Sequence, residues 1–401
     1  MEKQAAQCEL AVGKAMNVAM TGSRLRILIV GSGIAGATLA ALLLQRGEKP
    51  VVIERGAPDA AEGYLLGLYP LGGRVLHGLR LYDRYRKISC RMRRYILHGI
   101  DGAPINEFAM DEFSGRYGEI RGVDRGLLIE LLRSATPAEN IFYHTEIVQL
   151  QNSSEGVVAT FSDGSAQEFD SIVGADGIHS RTRSQILSPS DYSYKETDWG
   201  GWGMWAPIEG LETDTYRELW AQGWGVGIYP VLDKLGVFVG ASSAMRKAHS
   251  FGSLVEMMVS KLPEGALRGA LERVQSVEDP FFWKLEDCWT KKWFVHRVML
   301  LGDAAAAFLP TAGIGASMAM DSAAALADEL TRTDIEHLEY AYSLYEKRQR
   351  SRVEKAQANS RLLATLILQN TALGSRVRDI ALKHYSLQGL LKNIRKVMEG
   401  G

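Results

Sequence analysis

Gly31-Ser32-Gly33-Ile34-Ala35-Gly36 leaves the chain around it little freedom, because of what flanks it on either side. Arg26-Ile27-Leu28-Ile29-Val30 precedes it, a short apolar, β-branched run that reads as a buried parallel strand. Ala37 to Arg46 follows as a good helix former, with Gly47 as a stop signal. A second strand, Val51-Val52-Ile53, ends on Glu54. This is a complete βαβ unit of about 30 residues, the size of a dinucleotide fingerprint. Gly31 permits the tight turn, Gly33 lets the backbone approach a pyrophosphate, and Gly36 allows close helix–strand packing. The helix N-terminus offers unpaired N–H groups and partial positive charge to phosphates, with Ile34 and Ala35 in its first turn. Glu54 can accept hydrogen bonds from a ribose 2′-OH, which favours FAD or NAD over NADP; Arg55 beside it belongs to the same candidate site.

The 401 residues suffice for two modest domains or one large interleaved one. A formal net charge of -1 gives no reason to expect nucleic acid or an anionic membrane as partner. Cys8, Cys90 and Cys288 are widely spaced without a CxxC or His/Cys cluster, which argues against a disulfide framework or a metal site and fits a reducing cytoplasm. No apolar run approaches the 18 or more residues of a membrane span. Residues 1–24 lack the apolar core of a signal peptide and are expected to form a loosely ordered extension, with Met20 as a conceivable alternative start. The eight histidines are scattered and no nucleophile–base arrangement stands out, so hydrolase chemistry has no support.

Strand–helix alternation returns after the fingerprint. Leu127 to Ser134 reads as a helix and Ile141 to Tyr143 as a strand. A hairpin follows, with Val157–Phe161 and Gln167–Phe169 flanking Ser162-Asp163-Gly164-Ser165. Ile172 to Asp176 and Arg297 to Leu301 read as further buried strands. Between them, from Thr197 to Pro230, tryptophan and glycine crowd the chain. Gly223-Trp224-Gly225-Val226-Gly227 is there a glycine-punctuated strand, because no helix pattern follows it. The basic stretch Arg80 to Arg94 reads as a solvated face, with contact to NADPH phosphates as the alternative. Beyond Asp334 the pattern is helical.

The predicted architecture is α/β. A discontinuous Rossmann-type domain (25–87, 116–196, 290–335) is interleaved with a sheet domain (88–115, 197–289) and followed by a helical cap (336–401). Helices over Leu338 to Met398 are expected to fold over the nucleotide domain and help close the site, with dimerisation as the alternative.

Two further motifs follow strands. Asp176-Gly177-Ile178-His179-Ser180-Arg181-Thr182-Arg183 reads, taken alone, as a strand-ending turn with a helix cap. Gly302-Asp303 leads through Pro310, Gly313 and Gly315 into a helix from about Ala316 to Leu330, whose N-terminus would face an electron-rich heterocycle.

In order and spacing, the three motifs resemble those of the group A, single-component FAD-dependent aromatic monooxygenases, the p-hydroxybenzoate hydroxylase-like family, from about Leu25 to Leu330. The resemblance implies a glutathione-reductase-like FAD fold with non-covalent FAD. It assigns the fingerprint to FAD, Asp176, Gly177 and Arg183 to FAD and NAD(P)H, and Asp303 to the ribityl chain. It also lays Arg125, at helical spacing from Leu128 and Leu132, along the cofactor. NADPH or NADH, NADPH being favoured, would bind transiently, and O₂ would add to reduced FAD as a C4a-hydroperoxyflavin. One oxygen would then pass to an aromatic or polycyclic small molecule in secondary metabolism or xenobiotic breakdown, by hydroxylation or Baeyer–Villiger insertion. Ala306, Leu309, Ile314 and Ser317 depart from the family's usual residues, so substrate contacts do not carry over.

Trp202, Trp205, Trp220, Trp224 and Tyr229 could line an aromatic substrate pocket or serve as core. No catalytic side chain is assigned. A cytoplasmic monomer or homodimer is expected. An FAD-containing reductase, oxidase or non-catalytic flavin-binding protein is the alternative. A flavin-dependent halogenase is disfavoured by the absence of lysine between Arg55 and Arg86 and by the spacing of Trp202 and Trp205.

Overall fold

The computed structural model describes residues 16, 19–59, 64–278, 280–384, 389 and 392–399. Strand Ile27–Val30 lies inside a sheet, parallel to Val51–Ile53 on one side and to Ser171–Gly174 on the other. Val298–Leu300 continues the sheet in parallel, Phe294–Val295 turns back at that edge, and Ile141–Phe142 closes the opposite one. All four residues of Ile27–Val30 are buried, as the unbroken apolar run requires of a strand covered on both faces. Helix Ile34–Gln45 and helix Gly315–Leu330 pack against each other. The Asp163-Gly164 hairpin forms as read, joining Val157–Phe161 to Ala166–Phe169 with Gly164 at φ +84°.

The tryptophan–glycine region forms most of a seven-stranded mixed sheet, in the order Phe281–Thr290, Tyr192–Pro207, Lys234–Ser242, Trp224–Val231, Thr215–Trp220, Arg94–His98, Pro104–Ala109. Its glycines make room for rings. A Cβ at Gly201 would lie 2.2 Å from the Phe238 ring, and one at Gly200 2.5 Å from that of Phe282. Leu219, Trp224, Val226, Ile228, Val237 and Val239 point to one face and pack under helices Phe251–Lys261 and Ala266–Val274, neither of which was read from sequence.

Two expected boundaries shift. Strand Tyr192–Pro207 continues past position 196, with a register shift against Phe281–Thr290 between Glu196 and Gly200, and Ser89–Arg91 pairs with Arg121–Asp124 in a small separate sheet. A strand can carry a bulge where the composition changes and still continue in the same sheet. The basic stretch does make surface pairs, Arg91 with Asp111, Arg93 with Asp214 and Arg94 with Glu107. Of the expected N-terminal extension, residues 1–15, 17 and 18 lie outside the described residues. Met16 and Met20 are buried against the outer side of the nucleotide sheet, and Arg24 pairs with Glu48, so the loose segment does not reach residue 24.

Helix Leu338–Ile367 packs along Gly315–Leu330 and is bolted to both sheets. Gln357 Nε2 donates to the carbonyls of Cys288 and Ala307, at 2.9 and 2.7 Å. Arg361 holds the fully buried Asp287 through two bonds of 2.6 and 3.0 Å. Helix Ala372–His384 then lies against Pro104–Ala109, with Arg378 donating to the carbonyls of Trp220 and Ile367. No helix among the described residues is long and apolar enough to cross a membrane. Arg361→Ala strands a buried carboxylate without its cation and is expected to cost about 3–5 kcal/mol. Urea unfolding should show this as a lowered midpoint at unchanged slope.

Candidate active site

One cavity of about 920 Å³ runs from the fingerprint to the inner face of the large sheet. At the fingerprint end, Gly31 has φ +97°, and a Cβ there would lie 2.6 Å from the Ala175 carbonyl oxygen. A Cβ at Gly36 would fall 1.9 Å from Gly31 O, so this glycine serves helix–strand packing and does not line the cavity. Gly33 faces open space and, with Gly31, Ile34 and Ala35, lines the cavity. Glu54 accepts from the N–H of Ser32 and of Gly56, both at 2.9 Å, which orients its carboxylate at the cavity wall beside Arg55. Arg133, which sequence reasoning missed, donates to Ser32 O at 3.0 Å and stands 3.8 Å from Glu54 Oε2.

Midway along, Arg125 and Asp303 face the cavity together. The Asp303 side chain opens onto the cavity, deep in the fold beside Arg125. Burial pushes it up to about 6 from the ordinary 3.8, opposed by Arg125. It makes no hydrogen bond or ion pair with any described residue. Pro310, Gly313, Gly315 and Ala316 line the adjoining wall. Gly313 adopts φ +62°, which turns the chain into helix Gly315–Leu330. The first turn of that helix has neither an acidic residue nor a side-chain cap, so its N–H groups remain for an acceptor. Tyr69 fastens the loop. Its hydroxyl donates to Ala312 O at 3.0 Å, and its N–H donates to Ser317 Oγ at 2.9 Å, which gives the departing serine a structural part.

The Asp176 segment divides. Asp176 and Gly177 line the cavity, yet the Asp176 carboxylate is spent on Ser180 and Thr182, and Ser180 caps helix Arg181–Ile186. Arg183 was expected at the nucleotide. It is instead 0 % exposed and absent from the cavity wall. Its guanidinium donates to Ala304 O at 2.9 Å, to Ile178 O and to Tyr194 Oη, and lies over the rings of Tyr192 and Tyr194. It is a strut tying the Asp176 loop to the Asp303 loop. Sequence spacing located the motif but could not say which way a mid-helix arginine points.

At the sheet end, Trp220 and Tyr229 line the cavity; Trp202, Trp205 and Trp224 do not. Strand alternation decides between Trp224 and Tyr229, which lie an odd number of positions apart on one strand and therefore face opposite sides. Trp224 is 2 % exposed, under the outer helices. Trp202 packs on Phe251 and Phe282, and Trp205 sits beside Gly236 with Lys234 over its ring. The wall is completed by groups not singled out beforehand: Tyr64, Tyr95, Phe238, Trp283 and the acid Glu218. Tyr216-x-Glu218-x-Trp220 was the available signal, a strand face of two rings around a carboxylate.

Arg183→Ala removes the donor to the buried Ala304 carbonyl and the tie to Ile178 and Tyr194. It should lower global stability by about 3 kcal/mol, read by denaturant unfolding of the apoprotein. Lysine at this position should not restore it, lacking the planar fork.

Residues 24–360 match the family model described as "FAD binding domain". An FAD-dependent monooxygenase of Penicillium brasilianum, ausM, is 26% identical over 375 residues, covering 84% of this chain and 77% of its own length. A flavin-dependent monooxygenase of unknown prokaryotic origin is 25% identical and covers 80% and 84%. Among solved structures, Klebsiella pneumoniae HpxO in complex with FAD and uric acid superposes with a TM-score of 0.84 at 19% identity, over 96% of this chain and 99% of that one. With a fingerprint, an Asp303 loop and a cavity joining them, the chain belongs to the FAD-binding-domain family, among relatives named as FAD-dependent monooxygenases.

Proposed function

We propose that this FAD-dependent monooxygenase uses NAD(P)H and O₂ to oxygenate a flat aromatic small molecule held against the inner face of the large sheet. The carrying observation is that one continuous cavity joins the dinucleotide fingerprint to an aromatic wall. Its residues suit FAD from end to end. Gly33, Ile34 and Ala35 would offer backbone N–H groups to the pyrophosphate past the turn that Gly31 makes, and Glu54 and Arg55 stand where the adenosine ribose belongs. Asp303, a cavity-facing acid that accepts no hydrogen bond from the described residues, suits ribityl hydroxyls beside Arg125. The uncapped helix at Gly315 and Ala316, after Pro310 and Gly313, suits the pole of the flavin ring that gains negative charge on reduction.

Bound there, FAD supplies the redox chemistry that couples a reduced nicotinamide to oxygen transfer. The chain's own part is orientation and exclusion of water. Leu363, Leu366 and Ile367 of the long helix and Leu382 of the next close the cavity away from the nucleotide sheet. Asp176 and Gly177, at the cavity wall, remain the candidate contacts for the electron donor, without Arg183.

The purified protein should be yellow and consume NADPH or NADH with O₂, faster when an aromatic ligand fills the cavity. A colourless protein that fails to take up FAD on reconstitution overturns the reading. Glu54→Arg should weaken FAD at least tenfold in fluorescence titration, since it loses charge-assisted hydrogen bonds of ~1.5–3 kcal/mol and faces Arg133.

FAD affinity should also depend on pH through Asp303. The apoprotein's acid is raised to about 6, and donation from ribityl hydroxyls returns it toward 3.8, so FAD favours the ionised form. Affinity should therefore rise about tenfold from about pH 5 to pH 7 and level off above. Asp303→Asn should flatten that part of the profile.

A further inference from the structure

Glu218 sits in the aromatic end of the cavity with more negative charge than its neighbours neutralise. Strand Thr215–Trp220 turns Tyr216, Glu218 and Trp220 to the cavity, while Arg217 faces away and pairs with Glu212. Glu218 Oε2 accepts from Tyr95 Oη at 2.7 Å and Trp220 Nε1 at 2.8 Å, and Oε1 accepts from Tyr229 Oη at 2.7 Å. An indole N–H can only donate, and a carboxylate offers about four acceptor positions, so one position on Oε1 remains. Burial, then the charge of Glu218, pushes Tyr95 and Tyr229 well above the usual tyrosine range, so both keep their protons and stay donors.

Every donor on the carboxylate is neutral, and among the described residues Glu218 joins no ion pair. Glutamine could tie the same strands together without the cost of an enclosed charge. The sequence also makes space for this cluster. A Cβ at Gly225 would lie 2.4 Å from the Trp220 ring, and one at Gly227 2.1 Å from Tyr229 Oη.

We propose that Glu218 selects the substrate: the cavity takes an aromatic molecule that presents an O–H, N–H or ammonium donor to Glu218 Oε1, and rejects one that presents a carboxylate there. This rests on reading the sheet end of the cavity as the substrate chamber. Glu218 acts by recognition, and no bond is made or broken at it.

Four probes of one shape test it on the FAD-loaded protein by calorimetric titration: 2-naphthol, 2-naphthylamine, 2-methoxynaphthalene and 2-naphthoate. The two donors should bind at least about tenfold tighter than the methyl ether, with the carboxylate weakest. In Glu218→Gln, the amide oxygen can keep Tyr95 and Trp220 while its NH₂ faces the cavity. The donor advantage should vanish and 2-naphthoate should gain. Tyr229→Phe, which keeps the charge, should keep the donor preference, and it serves if the Gln variant loses FAD. Equal binding of the four probes by wild type, preference for 2-naphthoate, no saturable binding by either donor, or an unchanged order in Glu218→Gln overturns the proposal. If that happens while FAD binding and NAD(P)H-dependent O₂ uptake persist, only this inference falls; loss of FAD binding would instead remove the functional reading.

Discussion

The close approach of helix Ile34–Gln45 to strand Ile27–Val30 is the constraint on which the site depends. No side chain fits at Gly36, where a Cβ would sit 1.9 Å from the Gly31 carbonyl, and the same contact brings the helix N-terminus to the end of the strand. That end is where a parallel sheet presents its crevice. Gly31, at φ +97° and against Ala175 O, makes the turn that allows it. The Asp303 loop reaches the same crevice from a strand two places along the sheet, and helix Gly315–Leu330 packs beside Ile34–Gln45. Two helix N-termini thus open on one cavity.

Enclosed polar groups hold these pieces in register. Arg183 bridges the loops after two neighbouring strands, and Arg133 links Glu54 to the fingerprint backbone. Arg361 and Gln357 attach the long C-terminal helix to the edge strand of the large sheet. Each such arginine satisfies several carbonyls or a carboxylate at once, a task for which a planar guanidinium is suited and an ammonium is not. The contrast with Glu218 is instructive. Its donors are neutral, so its charge is left facing the cavity, where the structural arginines face protein.

The aromatic wall shows how period-two geometry sorts residues that composition cannot. Five aromatic positions stood out in the tryptophan–glycine stretch, yet only Trp220 and Tyr229 reach the cavity. Parity along Trp224–Val231 sends Trp224 to the outer helices and Tyr229 inward, with Gly225 and Gly227 clearing the inner side. Without knowing where each strand begins and which face is covered, parity cannot be read. The helices covering the outer face, Phe251–Lys261 and Ala266–Val274, lie in a segment where no motif marked them.

Local geometry explains what was readable beforehand. A βαβ turn with its glycines and acid, a strand delivering Asp303, and a Pro/Gly loop before a helix each act within about 30 residues. The nucleotide end of the cavity was therefore written into short segments of the sequence, Gly31, Gly33, Glu54, Arg125 and Asp303 among them. The aromatic end was not. It is assembled from Tyr64, Tyr95, Glu218, Trp283 and Leu363, residues that neighbour one another only after a seven-stranded sheet with non-sequential order forms and the C-terminal helices close over it. Tertiary packing also decided that Arg183 is a strut, because its direction depends on Ala304 and Tyr194, which the local motif does not contain. The fingerprint end of the cavity is thus a product of local turns, whereas its aromatic end arises from long-range strand pairing.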